Sequence, residues 1–179
     1  MKIIFLDVDG VLNTSKTFER VYNIFKNTGK KELEIDLFRL QYLKTIIDQT
    51  DAKIVLSSTW RRFFQKIDNK ITPSNEKGKL FNNLLINHEI EIYDILSNDS
   101  DMNREQLIID WLSQNEVESF IMIDDEPSLF SDLLDRLIIT SKVKNNEMLT
   151  NMDDCYGLCE RHIEIAKDML NSKVKKLRQ

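Results

Sequence analysis

The stretch Lys2-Ile3-Ile4-Phe5-Leu6-Asp7-Val8-Asp9-Gly10-Val11 decides how this chain is read. Lys2 to Leu6 is continuously apolar after its first residue rather than alternating. That suits a strand buried on both faces of a parallel sheet. The run stops at two aspartates separated by one residue. A carboxylate at the end of a buried strand is costly unless it is paired or meets a cation. If the strand geometry persists, Asp7 and Asp9 face the same side. One could then attack an electrophile while the other handles protons. Gly10 lets the chain turn away sharply behind the pair.

Three more apolar runs share this character: Lys53 to Leu56, Ser119 to Ile123 and Arg136 to Ile139. A weaker fifth candidate, Glu89 to Ile95, alternates. Helical spacing of apolar residues lies between them. Asp36 to Gln49 carries Leu37, Leu40, Leu43, Ile46 and Ile47, and Asn103 to Asn115 carries Leu107, Ile108, Trp111 and Leu112. Leu158 to Leu177 reads as a terminal helix. Strand and helix alternate, so the expected class is α/β: a doubly wound, Rossmann-like three-layer sandwich on a mostly parallel sheet. Two segments stand outside the alternation. Asn13 to Glu34 is polar, and Ile71 to Asn87, with Thr72-Pro73-Ser74-Asn75 and Gly78, reads as a break in regular structure.

The 179 residues suit one domain, with a core at about 1–140 and a C-terminal helix at about 158–178. The basic end of that helix carries no stop signal, so a further region beyond it stays open. The net charge of −5 argues against a broad nucleic-acid surface, though a local basic patch is compatible with it. Cys155 and Cys159 form no disulfide framework and lack the partner ligands of a zinc site, so a reducing compartment is expected. Asp7 interrupts the N-terminal apolar run too early for a classical signal peptide, and no stretch approaches the ~20 apolar residues of a membrane span. A cytoplasmic protein is expected where it is made; export by a dedicated machine would leave no trace at this level. Contact of the Lys173 to Arg178 run with a membrane surface is the rival to a solvated helix end. Nothing in the sequence speaks to oligomeric state.

Sites in doubly wound sheets form outside the carboxyl ends of the strands. There the chain places Asp7 to Gly10, then Ser57-Ser58-Thr59, then Asp124-Asp125. Carboxylates converging there would repel one another unless a cation joined them, and an all-oxygen set suits magnesium. A hydroxyl at Ser57, with free N–H groups at a following helix start, would hold phosphate oxygens. Ser58 is the better candidate for the cap of that helix. Arg104 opens the helix before the third strand, where a guanidinium could neutralise a phosphoryl group; a solvated helix charge is the rival reading. His88 and His162 read as surface or structural, and Trp60 and Trp111 as core.

These strings resemble the haloacid dehalogenase (HAD) superfamily. Phe5-Leu6-Asp7-Val8-Asp9-Gly10-Val11 is similar to its first motif, Ile54-Val55-Leu56-Ser57 to its second and Ile121-Met122-Ile123-Asp124-Asp125 to its fourth. More narrowly, Asp9-Gly10-Val11-Leu12-Asn13, Ser57-Ser58-Thr59-Trp60-Arg61 and Asp124-Asp125 resemble the HAD-like phosphatase domains of bacterial RNA-repair proteins and their stand-alone relatives. The resemblance implies a magnesium-dependent phosphomonoester hydrolase working through an aspartyl-phosphate. It makes Asp7 the nucleophile and a metal ligand, and Asp9 the acid/base, with its carbonyl on the metal. Ser57 becomes the phosphate-binding hydroxyl, assisted by Ser58, and Asp124 the acidic ligand. Asp125, Gly10, Asn13 and Arg61 support the site. The third motif falls on Arg104, with Lys53 and Arg62 as the other cations that could be read there. Little chain is left for a cap, so a short flap after Leu12 and an open site are expected. An open site suits a macromolecular substrate, and acidity tips the expectation toward a phosphoprotein, including phosphotyrosine. A nucleic-acid end or nucleotide is the alternative, and a non-catalytic HAD-like binding module a third, against which the intact Asp7 and Asp9 argue.

Overall fold

A computed structural model describes residues 1–98, 102–141, 143–144, 147–148 and 156–172. Its centre is a five-stranded sheet in the order β5-β2-β1-β6-β7. The strands are β1 (Lys2–Leu6), β2 (Lys53–Leu56), β5 (Ile92–Ile95), β6 (Ser119–Asp124) and β7 (Leu137–Ile139), and every pairing among them is parallel. All five expected strands are present, the weakest as its second half. Two short antiparallel pairs stand apart, β3 (Phe64–Ile67) with β4 (Lys70–Pro73), and β8 (Val143–Lys144) with β9 (Glu147–Met148).

Successive residues of β1 feed opposite faces of the sheet, as the pleat requires. Ile4 and Leu6 join one core cluster, which includes Leu40 and Leu43 of α2 (Leu37–Thr50), Phe81 and Leu85 of α3 (Glu76–Asn87), and Ala166 and Leu170 of α5 (Arg161–Asn171). Ile3 and Phe5 join the other, with Leu107, Ile108 and Trp111 of α4 (Arg104–Ser113). The Phe5 ring meets Trp111 and Phe120 edge-on, at centroid distances of 5.5 and 6.0 Å. These are the three expected layers, and the continuous apolar strands follow from burial on both faces.

The segment after Leu12 is a helix rather than a short flap: α1 spans Ser15–Thr28, capped by a Thr14–Thr17 box. Only Thr17 and Val21 of it are buried, although Phe18, Val21, Tyr22 and Phe25 keep helical spacing within an otherwise polar segment. The break expected at Ile71 to Asn87 narrows to Ser74 and Asn75, between β4 and α3. Asn75 caps α3 by accepting from Gly78 N–H. Gly78 is a packing residue, not a breaker, since a Cβ there would lie 2.2 Å from the Phe63 carbonyl oxygen. Among the described residues no separate bundle of helices is inserted between the strands: α1 and α2 follow β1, and the hairpin β3–β4, α3 and α4 follow β2. No described helix is long and apolar enough to cross a membrane. Cys155 and the basic run from Lys173 lie outside the described residues, so the readings placed on them carry no further.

Candidate active site

Register builds the site. Leu6 pairs with Leu56 on one side and with Ile123 on the other. The next residue in each chain is therefore Asp7, Ser57 or Asp124, all at one level on three adjacent strands. Backbone bonds lace the level together. Asp7 N–H donates to Ile123 O at 3.0 Å, while Ser57 and Ser58 N–H donate to Leu6 O at 3.0 and 3.2 Å.

Asp7, Asp124 and Asp125 each offer an oxygen within 4.8 Å of the others. Asp7 and Asp124 are buried, and Asp125 is half-buried. Arg104 stands against them. Its Nη1 lies 3.0 Å from Asp7 Oδ1 and donates a short hydrogen bond to Asp124 Oδ2, with only 17% of its side chain exposed. That geometry excludes a solvated helix charge. Burial pushes the Asp7 carboxyl up to about 7, against the pull of Arg104, and neighbouring Asp124, Asp125 and Asp9 add to the rise. Burial, with Asp124 beside it, likewise pushes Asp125 up to about 6. Both shifts have the same leading cause, loss of hydration on burial, to which the neighbouring carboxylates add. The donor set contains only carboxylate oxygens and carries excess charge, so these residues fit a hard divalent cation. They are the one such group among the described residues.

Asp9 behaves differently. β1 closes at Leu6, so strand geometry does not carry through to Asp9, which is exposed and outside the carboxylate trio. Trp60 Nε1–H donates to its Oδ2 at 3.0 Å and Asn13 Nδ2–H to its Oδ1 at 2.8 Å. Asn13, fully buried, also accepts from Gly10 N–H at 3.0 Å and so ties the turn to itself. Gly10 has φ +76°, and a Cβ there would fall 2.2 Å from Asp125 Cγ. The turn needs glycine both for its backbone and for the close approach of Asp125.

The Ser58 hydroxyl accepts from Trp60 N–H and caps a 3₁₀ turn at Thr59–Phe63, which leaves Ser57 as the hydroxyl at the strand end. Arg61 turns behind the site. It donates to Ser57 O, Ser58 O and Ser97 O at 3.0, 3.1 and 3.0 Å, bracing the loop rather than facing the carboxylates. Asp124 is oriented by Glu126 N–H, which donates to its Oδ1 at 2.9 Å. The structure thus brings together Asp7, Asp124, Asp125 and Arg104, with Asp9, Asn13 and Gly10 on the adjoining turn and Ser57 on the next strand. The sequence reading missed the indole of Trp60 as a partner of Asp9, since a tryptophan near a buried helix start reads as core. It also missed Glu105, whose buried carboxylate accepts from Ser131, Asp132 and Leu133 N–H and holds the loop after β6.

Comparison with curated proteins and with solved structures gives no match. A family model does match, over residues 3–145, which takes in every strand end just described. The chain belongs to the family of HAD domains in Swiss Army Knife RNA repair proteins, within the HAD phosphatase and hydrolase superfamily.

Proposed function

We propose that the chain is a magnesium-dependent phosphomonoester hydrolase that removes a terminal phosphate from nucleic acid through an aspartyl-phosphate on Asp7. The observation that carries it is the buried trio of Asp7, Asp124 and Asp125 against Arg104 at the carboxyl ends of β1 and β6. Asp7 is the nucleophile. A carboxylate oxygen of Asp7 attacks phosphorus, and the bond from phosphorus to the leaving oxygen breaks. Asp9 gives that oxygen its proton, then takes one from the water that attacks the acyl phosphate, releasing inorganic phosphate and free Asp7. Trp60 and Asn13 hold Asp9 to one orientation for both transfers. Ser57 and Arg104 receive the phosphoryl oxygens. Magnesium, held by Asp7, Asp124 and Asp125, with the Asp9 carbonyl as a further ligand, would offset the charge of phosphate beside these carboxylates.

The choice of nucleic acid rests on the family's RNA-repair context and on α1. Phe18, Tyr22 and Phe25 stand four and three residues apart, which is one stripe of a helix, and are 46%, 62% and 46% exposed. Exposed Lys26, Lys30 and Lys31 follow at the end of that helix. Aromatic faces that stack unpaired bases, flanked by cations for phosphates, suit a single strand whose end enters the site. The net charge of −5 and the open strand ends favour the second reading, a phosphoprotein.

The test is phosphate release from end-phosphorylated oligonucleotides, a phosphotyrosine peptide and an aryl phosphate, with magnesium and with excess chelator. Release from oligonucleotide ends is expected, abolished by chelator, and Phe18→Ala/Tyr22→Ala/Phe25→Ala should weaken oligonucleotide turnover while sparing the aryl phosphate. Peptide turnover without oligonucleotide turnover would replace the first substrate by the second. Activity undiminished in chelator would remove the metal from the account.

A further inference from the structure

Tyr156 lies outside the 3–145 span that the family model matches, yet its hydroxyl reaches the carboxylate trio, 3.4 Å from Asp125 Oδ2. The segment that carries it is tied to both loops of the site. Gly157 N–H donates to Thr140 O at 2.9 Å, and Leu158 N–H to Val11 O at 2.9 Å. Arg39 Nη1 donates to Leu158 O at 2.8 Å. The Leu158 side chain is fully buried in the core cluster of Leu6, Val8 and Leu12. Thr140 joins the two loops, its N–H donating to Asp124 O at 3.0 Å and its hydroxyl to Gly10 O at 3.0 Å. Residues 156–158 therefore form a strap from the turn after β1 to the end of β7.

Asp125 needs such support. It shares a crowded place with Asp7 and Asp124, and like charges drive an unheld carboxylate toward water. Gly10 closes against its side chain on one side. The phenol supplies a donor, and a carboxylate is an acceptor only, so the direction of the bond is fixed by chemistry. Groups that hydrogen-bond a metal's carboxylate ligands orient them and raise affinity.

We infer that Tyr156 is a positioning residue for a divalent cation, holding Asp125 in the trio through its hydroxyl, with the 156–158 strap as its mount. This rests on the reading of the trio as a cation site. Tyr156→Phe keeps the ring and removes only the donor. Calorimetric titration of the full chain with Mg²⁺, in the absence of any substrate, should show affinity about tenfold weaker in Tyr156→Phe, at the low end of the range for such partners. The melting temperature in chelator should stay at the wild-type value, which separates positioning from a loss of fold. In an Asp125→Asn background the same change should do nothing further. Equal affinity in wild type and Tyr156→Phe would overturn the inference, as would an undiminished loss in the Asp125→Asn background. A wild-type chain that takes up no Mg²⁺ would overturn the cation reading itself, and this inference with it.

Discussion

Arg104 is ion-paired with two buried carboxylates, Asp7 and Asp124, and donates a hydrogen bond to the second. Removing one partner of a buried ion group costs more than the group itself contributes, because the stranded charge keeps its desolvation penalty. Arg104→Ala should therefore lose up to about 3 kcal/mol in denaturant unfolding under chelator, moderated by protonation of Asp7. Added magnesium should recover part of that loss in the variant by binding the folded chain alone. A variant as stable as wild type in chelator would show that the guanidinium does not neutralise the cluster. Asp9 and Asp7 separate at the same scale. Asp9 sits in water with an indole and an amide fixing it, as suits a proton carrier, whereas Asp7 sits in the core beside the guanidinium. Strand spacing alone placed both at one strand end without distinguishing them, and only the motif resemblance gave them separate roles; the difference in their surroundings arises from where β1 stops.

At the scale of elements, α5 begins at a buried imidazole. His162 Nδ1 accepts from Cys159 N–H at 3.1 Å, which closes the turn before the helix. Burial pushes His162 down to about 4, and Arg161 and Arg39 nearby push the same way. The unfolded chain takes up this proton as pH falls through about 6.5, while the folded chain refuses it until far lower, so stability falls with pH across that window. Asp7 and Asp125 act in the opposite sense, being protonated first in the folded state, so the comparison must be between variants. Between about pH 7 and about pH 5, wild type should lose about 2 kcal/mol more than His162→Asn, which keeps an acceptor for Cys159. Equal losses would show that His162 titrates as it would in water.

Elements also show what the sequence could carry. β1, β2, β6 and β7 were legible because strands buried on both faces are continuous in Ile, Val, Leu and Phe. β5 was faint because buried Asp94 interrupts it, accepting from Lys66 Nζ and Trp111 Nε1 across the fold. α1 does keep helical spacing at Phe18, Val21, Tyr22 and Phe25, but the polar residues around this short stripe hid it in a segment read as irregular. Tyr156 left no signal at all, since its partner lies thirty-one residues away and a lone tyrosine in a polar segment has no periodicity.

For the whole molecule, the parallel register of β2, β1 and β6 turns three separate strings into one site, and the loops behind it are braced from distant parts of the chain. Arg61 ties Ser97 to Ser57, Glu105 ties α4 to the loop after β6, and Thr140 ties β7 to Gly10. The chemistry proposed for that site depends on one covalent bond, from phosphorus to an Asp7 oxygen. Rapid-quench kinetics with an aryl phosphate, followed by identification of the phosphorylated peptide, measures it directly. Wild type should carry phosphate on Asp7 during turnover. Asp9→Asn should give a burst of aryl product and accumulate that phosphoenzyme, its hydrolysis slowed by roughly 10²–10⁴. Asp7→Asn should give neither burst nor label; a burst retained in Asp7→Asn would contradict the account and assign the attack to water or another residue.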